Sequence, residues 1–383
     1  MSPAAYALGV ATERERGRCR ERLERLGGST LDADSLRYEA VALLRRTIGF
    51  DRWCWPLADP DTLIPLSGVA EHDYGPGVPR VLELEYSGND FAAMDVLARR
   101  VSPAGSLSSE TGGDLARSPR WDEVLREVGI GDEAVIACRD TLGCWGWLKA
   151  YRDGTERPFA WQDLDLLAQV GPGMGAALRR SLARDRRSGS APASAPGVIV
   201  LDSGMRPLSW TAGARAWIDV LPAAQVYAAL GMLPAMVYPV ATLARSRNDA
   251  SGSRALERAV DGRWVMIEAA ALEGRGNGEI AVTLRDATAG ETFDRLCRTY
   301  ALTRRERQVV TALAGGLDTR AAAERLSISR YTVQDHLKSV FAKVGVNSRR
   351  SSRSSGRRPA RRGSRGARTS APARARAARS STG

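Results

Sequence analysis

The sequence predicts a multidomain chain: two α+β domains in series, then a small all-α domain, then a disordered basic tail. Three observations predict it. At 383 residues the chain is too long for one ordinary domain. Strand-like alternation is mixed with helical periodicity up to about residue 290, and helical periodicity alone runs from 297 to 346. No Val, Leu, Ile, Met, Phe, Tyr or Trp follows Val346, so residues 347–383 have nothing to bury and are expected to be disordered.

Residues 1–33 centre on a highly charged helix, Glu13 to Leu26, expected to be exposed or dimer-forming. The first α+β domain spans 34–187. Leu36, Ala40, Leu43 and Leu44 recur at helical spacing, with Asp34 as the expected N-cap. Asp51 to Trp55 alternates as a strand, and Asp59-Pro60-Asp61 marks a turn. A second strand pair is Ala134 to Cys138 and Cys144 to Tyr151, joined through Arg139-Asp140. Trp53 and Trp55 share one strand face, and Trp145 and Trp147 are expected to share another. Each pair either lines an aromatic ligand pocket or fills a core. A long helix follows Pro158-Phe159, with Trp161, Leu164, Leu167, Ala168 and Leu178 on its apolar side; Gly171, Pro172, Gly173 and Gly175 are expected to weaken or kink it.

A small-residue linker, 188–196, separates this domain from a second at 197–290. There Val198 to Leu201 and Pro207 to Trp210 read as strands and Ala212 to Val220 as a helix. Trp264 to Ala270 and Glu279 to Leu284 read as a hairpin across 274–278. The stretch Val220 to Ala244 carries no charge and is long enough to span a bilayer. Pro222, Pro234 and Pro239 interrupt it, so the expectation is a short buried helix and loops, with no membrane partner. No secretory signal is visible at the N-terminus, and the five cysteines lack a CxxC pair, which suits free thiols in the cytoplasm.

The all-α domain is the most specific segment. Thr303-Arg304-Arg305-Glu306 has capping-box spacing ahead of Val309, Val310 and Leu313, and Gly315-Gly316 stops that helix. Asp318 is placed to cap a second helix, Thr319 to Leu326. After Ser327-Ile328, Ser329 is placed to cap a third helix. On that helix Val333, Leu337, Val340, Phe341 and Val344 form one stripe. Arg330, Gln334 and Lys338 line up on another face, with Tyr331 and Asp335 beside them. A row of Arg, Gln and Lys can meet base edges and phosphates in a major groove, whereas two amphipathic helices alone are equally ordinary core.

The run LTRRERQVVTALAGGLDTRAAAERLSISRYTVQDHLKSVFAKVGV, Leu302 to Val346, resembles the LuxR-type helix-turn-helix family. The resemblance implies double-stranded DNA as partner, Thr319 to Leu326 as supporting helix and Arg330 to Val344 as recognition helix. It also implies a DNA-binding set of Ser329, Arg330, Tyr331, Thr332, Gln334, Asp335 and Lys338. Ala321, Ala322 and Gln334 depart from the residues common at those places. The family continues into a fourth helix that helps pair two copies, so a homodimer is expected only where that helix is present. Without it the stripe around Val340 and Val344 is expected to be uncovered. More loosely, the first domain resembles a GAF domain through Gly143 to Leu148, Pro158-Phe159 and the helix after them. The second is similar to a PAS-like domain through Gly197 to Asp202. Both resemblances imply a small-molecule effector.

The net charge of +12 is equalled by the 12 arginines after Val346, so the body of the chain is neutral. That tail reads either as a native basic arm adding salt-sensitive DNA affinity or as an out-of-frame C-terminus. No P-loop, GxSxG, HExxH or paired Cys/His site occurs, and no enzyme, catalytic residue, cofactor or metal is expected. The 197–290 segment has no His or Cys to hold haem or a cysteinyl flavin. A sensor or scaffold that does not bind DNA, or a regulator crippled by loss of the fourth helix, remains the alternative.

Overall fold

The computed structural model describes residues 11–71, 75–185, 189, 195–247, 253–273 and 278–345. The linker at 188–196 and the tail at 347–383 lie largely or wholly outside them, as do His72 and the hairpin turn at 274–277.

The chain begins with α1 (Glu13–Gly27) and α2 (Ala33–Ile48). Asp32, not Asp34, caps α2, accepting the N–H groups of Asp34 and Ser35; Asp34 instead pairs with Arg37 at 2.6 Å. Most of α1 is exposed, as expected, but Cys19 and Leu23 form a buried stripe against α2 and the long helix at Trp161–Arg184. Dense charge hid a narrow apolar stripe that needs only one or two residues per turn.

The first sheet is built from β1 (Arg52–Ala58), β2 (Pro65–Ala70), β3 (Ala104–Ser106), β4 (Ile130–Asp140) and β5 (Gly143–Asp153) in the order β2-β1-β5-β4-β3, antiparallel throughout. One face packs on α1, α2 and α6 (Trp161–Arg184). The other packs on α3 (Val78–Tyr86), α4 (Met94–Arg99) and α5 (Leu107–Thr111). Within that second layer Arg120 pairs with Glu85, Asp90 and Glu133 at 2.8–3.0 Å, and Lys149 pairs with Glu85 and Glu133, all of them buried. Such a network holds a unique arrangement rather than adding much net stability.

The helix α6 runs unbroken through Pro172 and the glycines beside it. Its glycines serve contact: a Cβ on Gly175 would stand 2.6 Å from the Arg139 backbone, and one on Gly171 3.2 Å from the Ala137 carbonyl. The helix therefore lies directly on β4.

The second domain repeats the same plan. β6 (Gly197–Leu201), β7 (Pro207–Trp210), β8 (Ser253–Arg258), β9 (Trp264–Ala271) and β10 (Ile280–Asp286) form an antiparallel sheet ordered β7-β6-β10-β9-β8. α7 (Ala212–Val220), α8 (Ala224–Ala229) and α9 (Val237–Arg247) accompany it. The uncharged stretch thus breaks into short helices, and no helix among the described residues is long and apolar enough to cross a membrane. Ile64, Leu66 and Val78 of the first domain belong to this domain's core, so the two share buried surface. All five cysteines are free thiols.

Four helices follow: α10 (Ala289–Thr299), α11 (Arg304–Ala314), α12 (Thr319–Leu326) and α13 (Arg330–Val344).

Gly175→Ala is expected to destabilise the chain by about 1–3 kcal/mol through overpacking. Gly173→Ala, at a position with nothing within 4 Å, should be neutral or stabilising by up to about 1 kcal/mol, as read by urea unfolding of both variants.

Candidate nucleic-acid interface

Local chemistry sets each of the last three helices where the sequence placed them. Thr303 accepts the N–H of Glu306, and the Glu306 carboxylate accepts the N–H of Thr303 at 2.6 Å, closing the capping box of α11. Asp318 caps α12 by accepting Ala321 N–H at 2.8 Å. Ser327 makes the turn in a left-handed conformation, with φ 54°. Ser329 caps α13 by accepting Thr332 N–H at 3.1 Å, and its hydroxyl lies 2.9 Å from that of Thr332. Gly345, φ 70°, ends the helix.

Tertiary contacts then fix which face of α13 stays outside. Val333 is fully buried with Val309 of α11 and Ala323 of α12, flanked by Leu313, Leu326 and Leu337. Ala322 and Ala323 are both buried; their small side chains let α12 sit close to its neighbours. Two turns further on, Val340 packs on Cys297 of α10 and on Leu302, with Phe293, Tyr300 and Val344 around them. This corrects the expectation of an uncovered stripe at Val340, which the end of α10 covers, while Val344 is half-buried. Phe341 is half-buried, so it anchors less than Val333 does.

One carboxylate locks the recognition helix from behind. Besides its capping bond, Glu306 accepts Ser339 Oγ at 2.7 Å and Lys343 Nζ at 2.6 Å, while Lys343 also donates to the Ala301 carbonyl. Burial opposes ionisation, but these donors outweigh it and hold the Glu306 carboxyl down at about 2. Only the helix-capping half of this role was visible in the sequence, because Ser339 and Lys343 lie more than thirty residues away.

The opposite face is open to solvent. Arg330, Tyr331, Gln334, Asp335 and Lys338 are exposed, Tyr331 by 80%. Thr332 is half-buried, and it and Ser329 are engaged in the cap. Lys338 pairs with Asp335 at 3.1 Å, yet both side chains are more than 70% exposed, so the pair is weak and can yield to a phosphate. Arg330, Gln334 and Lys338 present two cations and an amide along one edge, in a chain whose other domains leave that edge accessible.

Residues 300–353 match the family model described as bacterial regulatory proteins, luxR family. This segment is a LuxR-family helix-turn-helix domain. In it α12 and α13 stand where the resemblance places the supporting and recognition helices. No curated protein matches the chain. Two solved structures similar to part of it are the chromophore-binding domain of the bacteriophytochrome RpBphP3 from R. palustris and a longer form of that bacteriophytochrome. The first is 19% identical over 44% of this chain, the second 13% identical over 71%, and each has a TM-score of 0.27. This chain spans 63% of the length of each, and at that TM-score neither likeness bears on function.

The four tryptophans proposed for an aromatic pocket do not converge. Trp53, Trp55 and Trp145 lie in the core beneath α2 and α6, Trp145 alone of the four also lining a cleft between the two sheet domains and α10, whereas Trp147 fills the core on the other face of the sheet. The cause is a bulge. Cys138 pairs with Gly146 and Arg139 with Cys144, so Trp145 has no cross-strand partner and the alternation slips by one. Gly146 suits the crowding there, since a Cβ would meet Leu178 Cδ1, Pro56 O and Trp55 Nε1 at 3.0–3.1 Å. Trp53 donates to Glu71 and Trp145 to Asp140.

Glu306→Gln should weaken the helical domain by about 2 kcal/mol at neutral pH, the size of a charged buried hydrogen-bond set. Because the folded carboxyl is depressed, its stabilisation is present above the ordinary carboxylate range and fades as pH falls toward about 2. Acid titrations of parent and variant should therefore differ at pH 6 and converge near pH 2.

Proposed function

We propose that this protein is a sequence-specific DNA-binding transcriptional regulator whose α+β domains respond to a small molecule or partner. The observation that carries the reading is the exposed row of Arg330, Gln334 and Lys338 on a recognition helix anchored by Val333 and Glu306. On this reading α13 enters the major groove. Arg330 and Lys338 supply charge to phosphates or guanine edges, Gln334 reads a base edge, and Ser329 and Thr332 orient the helix start. Nothing in the mechanism calls for catalysis; the protein acts by occupying DNA in the cytoplasm. Pairing of two copies on a two-fold operator accompanies the family's mode of binding and is proposed here on that ground.

The GAF-like and PAS-like resemblances supply the sensing half of the proposal. Supporting it, the sheet domains and the helical domain are not loosely tethered: α10 pairs with the first domain through Arg295 and Asp59 and with the second through Glu291 and Arg285, and it packs on α13.

An operator selected from a random duplex pool tests the reading. Arg330→Ala with Lys338→Ala in the full chain should lower operator affinity by about 2–4 kcal/mol and reduce the salt slope by about 2. Unchanged operator affinity would leave a sensor or scaffold that does not use this face.

A further inference from the structure

A cavity of about 140 Å³ lies between the α3 side of the first sheet and residues 222–236 of the second domain. Cys54 pairs with Ala70 and Lys149, and Pro56 with Gly68, so these residues share the sheet face beneath it. Leu66, Val81, Leu82 and Met94 of the first domain and Tyr227 and Met236 of the second enclose it. Gly68, Ala70 and Ala223 are exposed and mark its rim.

The lining has no charge to spare for an occupant. Lys149 is the one charged residue among the described lining residues, and its ammonium is spent on Glu85 at 2.7 Å and Glu133 at 3.1 Å. Burial pushes the Cys54 thiol up to about 11, so it stays protonated. The Ser67 hydroxyl donates to Glu257. What remains is hydrocarbon and thioether, and the methionines can adapt to the shape of what they enclose. Protein interiors leave few voids larger than a water molecule, so an apolar gap of this size at a domain junction stands out. An apolar cavity of about 150 Å³ stays dry when empty and takes one benzene-sized molecule. At the rim, Ala223 holds a left-handed backbone, φ 57°. That conformation strains a residue with a Cβ, and such strain gathers where a structure clamps a ligand.

We propose that this cavity binds one neutral apolar molecule of single-ring size, clasped between the two sheet domains. The inference rests on the reading that a small molecule controls the protein, and it names that molecule's chemistry. Leu66, Ser67, Pro222 and Ala223 line the cavity and also the cleft bordered by Arg295 and Leu296 of α10. An occupant therefore touches residues that share a cleft with the helix covering Val340.

Isothermal titration of the full chain with toluene, benzoate and benzylammonium tests the site, since the three share one ring and differ in charge. Toluene should saturate a single site and bind about tenfold or more tighter than either ion, because a buried charge would find no partner there. Val81→Phe fills the cavity from α3, and Ala70→Trp, at an exposed strand position, closes it from the rim while sparing the core. Each folded variant should bind toluene about tenfold more weakly. Failure of toluene to saturate, equal binding of either ion, or parent affinity in a folded variant would overturn the proposal. Operator affinity with and without saturating toluene is read separately. A saturable site that leaves it unaltered supports the cavity as a binding site and counts against control through it, so the two readings fail independently.

Discussion

Asp59 sits at the turn between β1 and β2, and its carboxylate joins three parts of the chain. One oxygen accepts the N–H groups of Asp61 and Thr62 and closes the turn. The other accepts Leu256 N–H from β8 of the second domain and the guanidinium of Arg295 from α10. Both side chains of the ion pair are buried. Removing two charges from water is costly, and a buried pair often contributes little net stability; its effect is to penalise every arrangement in which one partner is left alone. Here the penalised arrangements are those in which α10 moves away from the two sheet domains.

The position of the reader follows from that constraint. Arg298 of α10 adds bonds to the Pro60 and Leu142 carbonyls and pairs with Asp61, and Arg179 of α6 donates to the Thr299 carbonyl. With α10 held, Phe293 and Cys297 cover Val340, and Glu306 with Lys343 fixes the same end of α13 to α11. The exposed face of α13 is thus the outcome of burial behind it. α10 touches both the domain junction and α13, so the two are joined by a contiguous run of packed side chains.

Local signals carried the reader and failed at the junction. The capping residues Thr303, Asp318 and Ser329 and the stripe through Val333 are short-range patterns, and the helices begin and end where those residues put them. The two α+β domains were legible as strand pairs and helices, but their alternation misled at Trp145, where a bulge moves Trp147 to the opposite face. A bulge depends on the partner strand and leaves no period-two trace of its own. In α6 the glycines read as weak points because propensity counts only the helix, whereas close approach to β4 decides the use of Gly171 and Gly175. The cover over Val340 and the tie between Asp59 and Arg295 join residues far apart in sequence, 236 positions for the latter. No periodicity records such a pair.

The Asp59 and Arg295 pair holds α10, and through it α13, against the sheet domains. Amide hydrogen exchange on the full chain with Asp59→Ala tests it directly. The account predicts faster exchange across 289–299 and at 340–344, with 130–153 in the first sheet unchanged. Exchange in α10 and at the end of α13 that matches the parent chain would contradict it.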